Sequence, residues 1–472
     1  KLEHARERYM KLKDCKFETE WRKTAETDLK YFTGEDQGWD EDGARAKLTD
    51  EERPALTLNR INPIMRLIFG ARPPTEAKYF AVEEGDIETA AILNSCKDHI
   101  ETTNRWEFEA EDAILRFSVL NRMVIELRPD YSSDPRGDII LVIRDGFDFL
   151  FDPNSKAKDR SDMEDMFEII HCTPDQAKRA FPKKKAALNE LVGNVGEGNA
   201  SADSRDSGRA DEYSDTRSDY YDSATNKLTI ARYWYKTYEK QTKIIDSMFG
   251  EVWDSPKDAD EVKEEIGKLS SAPDRFVIHQ QEIIRVRYLT FIYDTVLEEG
   301  VNAWERPDGI PTKLSQNFPF VIGEPERIIA GSRNELISII NPLQDPQKFH
   351  NKLASAILEV IGTSPKTGVD FEKGAVSDEN AKKLKKLGAK AGAAIEWEPG
   401  ALSGDKVHWR TSTANPQAEM VEAKEMTNEL LNISGVDSLI STESLGKGAS
   451  GFAIDLKQRQ GGNIVSWIYK SF

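Results

Sequence analysis

Arg53 to Gly70 reads RPALTLNRINPIMRLIFG, and Gly435 to Gly462 reads GVDSLISTESLGKGASGFAIDLKQRQGG. In the first stretch Leu56, Leu58, Ile61, Ile64, Met65, Ile68 and Phe69 predict a short strand running into a helix. Asn59 or Asn62 is the expected cap, with Pro63 in the first turn. In the second, a glycine-rich turn is expected to lead into a helix from Phe452 to Gln460. Neither stretch holds the side chains that enzymatic chemistry usually requires.

Working outward, residues 1–33 read as one charged helix, with Tyr9, Leu12, Phe17, Trp21 and Leu29 at helical spacing and Gly34 as its C-cap. Residues 86–117 predict a second helical region. The period then changes: Met123 to Arg128 and Ile139 to Ile143 predict strands, and 146–152 is expected to continue their sheet. Thr173 and Pro174 open a helix that runs to Phe181. Residues 193–226 are Gly, Ser, Asp and Asn with scattered Arg and few aliphatics, and predict a flexible acidic loop. Strands are expected at Leu228–Tyr235, Phe276–His279, Ile283–Val296 and Phe318–Ile322, with a charged helix at Asp258–Leu269. A helix over 345–361 is capped by Asp345 and opened by Pro346, with Phe349, Leu353, Ile357 and Val360 as its buried stripe. Helices follow at Asn380–Lys390 and Pro416–Ile433. The fold class is α+β, mainly helical.

The 472 residues suffice for several packed units. Only 38% are hydrophobic and 31% are charged, which is polar for this size and points to extended or thin domains, or to burial in an oligomer. The net charge of −18 repels DNA on average, whereas a protein that grips phosphates carries a basic excess. It fits either a soluble acidic surface or a channel wall along which a polyanion slides. Cys15, Cys96 and Cys172 form no CxxC pair and suit a reducing compartment. No apolar run approaches the ~20 residues that span a bilayer. The chain starts at Lys1 and stops at Phe472 in mid-pattern, so both ends are expected to be trimmed.

The candidate chemical motifs are weak. Gly446 to Gly451 matches GxGxxG, but only 21 residues follow it, too few for the second strand of a dinucleotide fold. Asp152 to Met163 begins like a calcium loop, yet Ala157 stands where glycine belongs and Met163 where glutamate does; an Asx-bonded turn is expected instead. Six scattered histidines offer no zinc spacing. Lys382, Lys383, Lys385, Lys386 and Lys390 form the one concentrated basic cluster, either a solvated helix face or a local phosphate contact. No catalytic, metal or cofactor site is assigned.

Five blocks in order resemble the portal proteins of short-tailed bacteriophages. They are Arg22, Ala25, Asp28, Phe32, Gly34, Gln37 and Trp39; then Arg53-Pro54, Leu56-Thr57, Asn59, Ile61 and Gly70; then Asp152-Pro153 through Asp159, Asp162 and Met163 to Pro182; then Asp345, Gln347, Asn351 and Ser355; and last Gly435 through Ser450-Gly451 to Gln460. There are two departures: Gly38 separates Gln37 from Trp39, and Phe117-Ser118-Val119-Leu120-Asn121 lacks a glycine expected at the strand entry. The resemblance implies a dodecameric ring with wing, stem, clip and the start of a crown. Residues 1–192 and 366–440 would form the wing, 193–226 a loop, 227–330 stem arm and clip, 331–365 the stem helix, and 441–472 the start of the crown. Asp345, Gln347, Asn351 and Ser355 would lie on the helix beside the channel. It further implies a homo-oligomer at a capsid vertex of the virion, assembled in the host cytoplasm. Its partners would be double-stranded DNA in the bore, the terminase large subunit, a tail adaptor protein, and major capsid and scaffolding proteins, with no membrane. The alternatives are a non-portal structural adaptor of a virion and, more remotely, a nucleotide-dependent enzyme.

Overall fold

The computed structural model describes residues 1–434 except 40–42, 71–77, 133–134, 136, 198–219, 223–224, 256, 270–274, 307–311, 331–332, 364–367, 388–395, 398, 403, 405 and 411–416. The first elements are α1 (Leu2–Lys13), α2 (Lys16–Thr33), α3 (Ala44–Asp50), α4 (Ile61–Gly70), α5 (Ile87–Thr103), α6 (Trp106–Val119), β1 (Met123–Asp130), β2 (Asp138–Arg144), β3 (Phe149–Phe151) and β4 (Asp165–Cys172). They are followed by α7 (Pro174–Ala180), α8 (Lys185–Glu197), β5 (Tyr221–Asp222), β6 (Lys227–Asp246), β7 (Val252–Ser255), α9 (Ala259–Leu269), β8 (Phe276–Ile292) and β9 (Thr295–Val301). The last are β10 (Phe320–Gly323), β11 (Arg327–Ala330), β12 (Arg333–Leu336), α10 (Asn341–Thr363), β13 (Gly368–Phe371), α11 (Asp378–Leu387), β14 (Val407–Arg410) and α12 (Gln417–Ser434). The class is α+β, as expected.

Two compact units divide the chain. One takes Lys1–Leu29 and the described residues of Arg72–Ile339; the other takes those of Lys30–Ala71 and of the chain from Ile340 on. In the first unit β3-β4-β6-β8-β9 form an antiparallel sheet, with β5 and β7 also paired to β6, and β10-β1-β2 form a second. Tyr9 on α1 packs edge-on against Phe167 of β4 and Phe291 of β8, and Phe167 stacks on Tyr233 of β6. Leu12, Leu228 and Ile230 complete that core. A second cluster joins Val124, Phe149, Phe151, Met166, Trp234 and Phe320, so side chains of both sheets share it.

Several expectations are corrected. The helix over 1–33 is two helices broken at Asp14-Cys15; the helical region over 86–117 is present as α5 and α6, which meet at Asn104-Arg105, where Arg105 has φ +50°. Residues 146–152 do not continue the β1–β2 sheet: after a 3-10 turn at Gly146–Asp148, β3 pairs with β4 in the larger sheet. The strand expected at 228–235 is part of a far longer one, β6, and that at 276–279 merges with most of the one expected at 283–296 into β8, whose pairing with β6 runs from Ala231↔Phe291 to Asp246↔Phe276; the end of the latter is cut by a turn at Tyr293-Asp294 that leads into β9. Polar, charged sequence hid the length of these strands, because backbone pairing of β6 with β8 needs no apolar alternation. The loop expected over 193–226 is cut into at both ends: α8 runs to Glu197, and Tyr220 is buried beside β5, which pairs with β6.

Other expectations hold. Thr173 caps α7 through a full capping box with Gln176. Gly34, at φ +83°, ends α2, its N–H and that of Glu35 both donating to the Lys30 carbonyl. Asp152 to Met163 is an Asx-bonded turn: Asp152 Oδ1 accepts from Asn154 N, and Asp162 accepts from Ser155 Oγ, Lys156 N and Ala157 N. Burial acts to raise the Asp162 pKa, but these donors win and hold it at about 2. The expected glycine before β1 is replaced by Asn121 at φ +57°, and asparagine is the side chain best suited to that left-handed region after glycine. Its amide also donates to Asp28 Oδ2.

A buried charge cluster knits the first unit. Among the described residues, Arg122, Arg160 and Arg327 form ion pairs with two carboxylates, Glu18 and Glu324. Arg160 holds Glu324 bidentately at 2.7–3.1 Å, and Arg122 donates to Glu18 at 2.9 Å. Arg122 Nε and Nη2 lack a hydrogen-bond acceptor, but the guanidinium sits 3.7 Å from the Trp21 ring centroid and 4.6 Å from that of Phe151. Desolvated cation–π contacts of this kind contribute roughly 2 kcal/mol and replace part of the lost hydration.

Candidate channel-side helix

The second unit is organised by α10. The expected cap at Asp345 is corrected: the helix starts at Asn341, and Pro346 lies inside it. Pro346 is the sixth helical residue, beyond the four N–H groups that lack helical acceptors, so the Pro342 carbonyl goes without its i→i+4 donor. The expected buried stripe is also corrected. Phe349 is 46% exposed and Leu353, Ile357 and Val360 are only half-buried. The buried face is instead Leu343, Gln347, His350, Asn351 and Ser355.

That polar face is occupied by the stretch before α4. Residues 53–60 are extended but form no strand. Their backbone runs antiparallel to α10 and is hydrogen-bonded by its side chains. Ser355 Oγ accepts from Leu56 N at 2.9 Å, Asn351 Oδ1 from Leu58 N at 3.0 Å, and Gln347 Oε1 from Arg60 N at 3.0 Å. Gln347 Nε2 returns a bond to the Leu58 carbonyl at 2.8 Å. The match is one of period: four helical residues rise about 6.0 Å, and two extended residues about 6.6 Å. Side chains four apart on the helix therefore meet every second N–H of the extended chain.

Residues near Gln37 close the arrangement. Asn351 Nδ2 donates to Gln37 Oε1, Gln37 Nε2 to the Tyr31 carbonyl, and Trp39 Nε1 to the Leu56 carbonyl. Asn59 is the predicted cap: its Oδ1 accepts from Asn62 N, while its Nδ2 donates to the Phe32 carbonyl. Gly38 stands at φ +83° directly under Lys348, where a Cβ would lie 2.6 Å from Lys348 Cε. The insertion between Gln37 and Trp39 is thus a position that accepts only glycine without strain.

His350 packs on the same buried face, with neither ring nitrogen hydrogen-bonded to a side chain, and α10 packs on α12. Burial, reinforced by Arg60, lowers its pKa. The folded state therefore binds fewer protons here than the unfolded chain. The stabilising contribution is complete above the ordinary histidine pKa of about 6.5 and is lost as pH falls below it. We expect His350→Gln to flatten the fall in unfolding free energy between pH 7.5 and 5.5, measured by urea titration. An unchanged slope would remove His350 as the source.

The sequence-predicted residues are distributed as follows. Gln347, Asn351 and Ser355 are brought together but face residues 56–60 of their own unit. Asp345 is exposed, 3.8 Å from Lys348. Lys382 is exposed on α11, which also carries Lys383, Lys385 and Lys386; Lys390 lies outside the described residues. The Gly446–Gly451 turn and the helix expected at Phe452–Gln460 lie outside them too. Sequence reasoning missed Gln37 and His350 as buried partners. The available signal was the four-residue spacing of short polar side chains at 347, 351 and 355.

The end of the first block singled out in the sequence, Phe32 to Trp39, and the blocks at 53–70 and 345–355 converge on this polar zipper. Each is the mark of a shared fold more than of a reaction site. A family model, that of the phage P22-like portal protein, matches residues 8–469. The chain belongs to that family. Comparison with curated proteins gives no significant match. Portal proteins are structural components of the bacteriophage virion, with packaging and connector roles. Among the described residues of this portal protein, no group of His, Cys, Asp or Glu is arranged to hold a metal ion, and no helix is long and apolar enough to cross a membrane.

Proposed function

We propose that this portal protein forms a dodecameric ring at one capsid vertex and conducts double-stranded DNA during packaging and ejection. The family match over residues 8–469 carries this reading. The net charge of −18 supports it, because a predominantly acidic ring repels the duplex and lets it slide. In this reading the terminase large subunit docks first and a tail adaptor replaces it, after assembly with capsid and scaffolding proteins in the host cytoplasm. Residues 1–192 and 366–440 make the wing, 227–330 the stem arm and clip, and α10 flanks the channel. Asp345 is the residue of its block placed to meet solvent in the bore, and Lys382 with its neighbours on α11 supplies local phosphate contacts. Ring closure is head to tail, so each copy presents two different surfaces.

Negative-stain imaging of the purified protein tests this. Twelve-fold end-on classes with a central hole wide enough for a duplex are the expected result. Monomers or dimers without a hole, from a protein carrying its native ends, would sink it.

A further inference from the structure

The long ribbon of the first unit ends in three strands, β7-β6-β8, with no further strand on either side among the described residues, while α9 packs against β8. Beyond Tyr235 the sheet partner β4 has ended, and beyond Arg287 so has β9. Among the described residues, Phe276 to Ile284 of β8 have no strand on their outer side, and neither does β7. The two open edges stand at the same level: Asp254 of β7 and His279 of β8 both pair with Lys243.

The first six residues of the β8 edge carry no guarding charge; Glu282 follows them. Residues 276–281 read FVIHQQ, without lysine, proline or any formal charge at neutral pH, and Val277 is 52% exposed. Soluble proteins guard long open edges with charge, proline or bulges, because unpaired N–H and C=O groups with β-forming side chains recruit another strand. On β7, Val252 and Trp253 are also exposed, at 54% and 41%.

We propose that the β8 edge of one copy pairs with the β7 edge of the next, joining the ribbons into one continuous sheet around the ring. This rests on the ring reading above. A head-to-tail ring needs two different complementary surfaces, and the ribbon supplies them on opposite sides. Strand direction fits as well. β7 and β8 both run antiparallel to β6 and hence parallel to each other. Ring symmetry relates neighbours by a rotation that leaves strand sense unchanged, so the junction is a parallel pair.

Cysteine cross-linking distinguishes this from any contact within one chain. β7 and β8 are two strand spacings apart, about 9.6 Å, beyond the roughly 7 Å that a disulfide spans between Cα atoms. Asp254→Cys is combined in turn with Val277→Cys, His279→Cys or Gln281→Cys, which share one face, and oxidised mildly. The expected result is a ladder of covalent oligomers on a non-reducing gel from at least one pair, and none from the single variants, which report on the native cysteines. Val277→Lys should lower the ring fraction several-fold in native mass measurement, while Met248→Lys at the turn beyond the strands should not. Rings that form without any ladder overturn the edge pairing and leave the ring reading intact. Particles that are monomeric with or without Val277→Lys overturn both.

Discussion

Asn351→Leu is expected to destabilise the protein by about 3 kcal/mol, since each buried polar group left without a partner costs roughly 1–3 kcal/mol. One side chain here serves three others. It accepts from Leu58 N and from Gln347 Nε2, and it donates to Gln37 Oε1. Leucine fills the volume but leaves Gln37 Oε1 and one of the two Gln347 Nε2 hydrogens without a partner where water does not reach, as Gln347, Asn351 and Gln37 are each at most 1% exposed, and Leu58 N also loses its acceptor. The comparison is Phe349→Ala, two residues away. Sequence periodicity makes Phe349 a core residue, but at 46% exposure its loss should cost under about 1 kcal/mol. Urea unfolding of both variants decides the matter. A larger loss for Phe349→Ala would mean that α10 is held by its apolar side.

Glu324→Gln should be the other severe substitution, costing about 3–5 kcal/mol, the range for breaking a buried ion pair from one side. Among the described residues Glu324 is the one carboxylate within ion-pair reach of Arg160 and Arg327, and Arg122 approaches it at 3.6 Å. Neutralising it leaves guanidinium groups that are almost wholly buried facing one remaining carboxylate, Glu18. The opposite change should be mild. Arg327 is the surplus cation: burial, then the like charge of Arg160, lowers its pKa, and its Nη1 has no hydrogen-bond acceptor. Arg327→Met removes that surplus at the loss of one bond to the Ala157 carbonyl, so it is expected to cost far less than Glu324→Gln. Equal losses in thermal or chemical unfolding would contradict the charge accounting, because simple disruption of packing does not distinguish the sign of the removed charge.

Much of the local structure was legible in the sequence because the signals are short-range. Thr173-Pro174 with Gln176 states a helix start within four residues. Gly34 states a helix end, and Asn59 a helix cap three residues before Asn62. The family itself was legible, since ordered blocks of polar and small residues at 22–39, 53–70 and 345–355 persist in the chain. What those blocks do was not. Arg22 in the first block spends its guanidinium on the carbonyls of Phe147 and Phe149, and Asp28 binds Asn121 and Ser338. None of these partners is near in sequence.

The sequence by itself therefore determined the helix ends at Gly34, Asn59 and Thr173, the strand pair at 123–128 and 139–143, the acidic balance and the portal family. The tertiary structure alone decided which face of α10 is buried, that residues 53–60 are extended without being a strand, and that β6 and β8 continue far past their apolar parts. The physical reason is the same in all three cases. Hydrophobic periodicity reports burial against apolar neighbours, whereas here burial is satisfied by hydrogen bonds between groups some 290 residues apart, and strand length by backbone pairing that needs no apolar side chain.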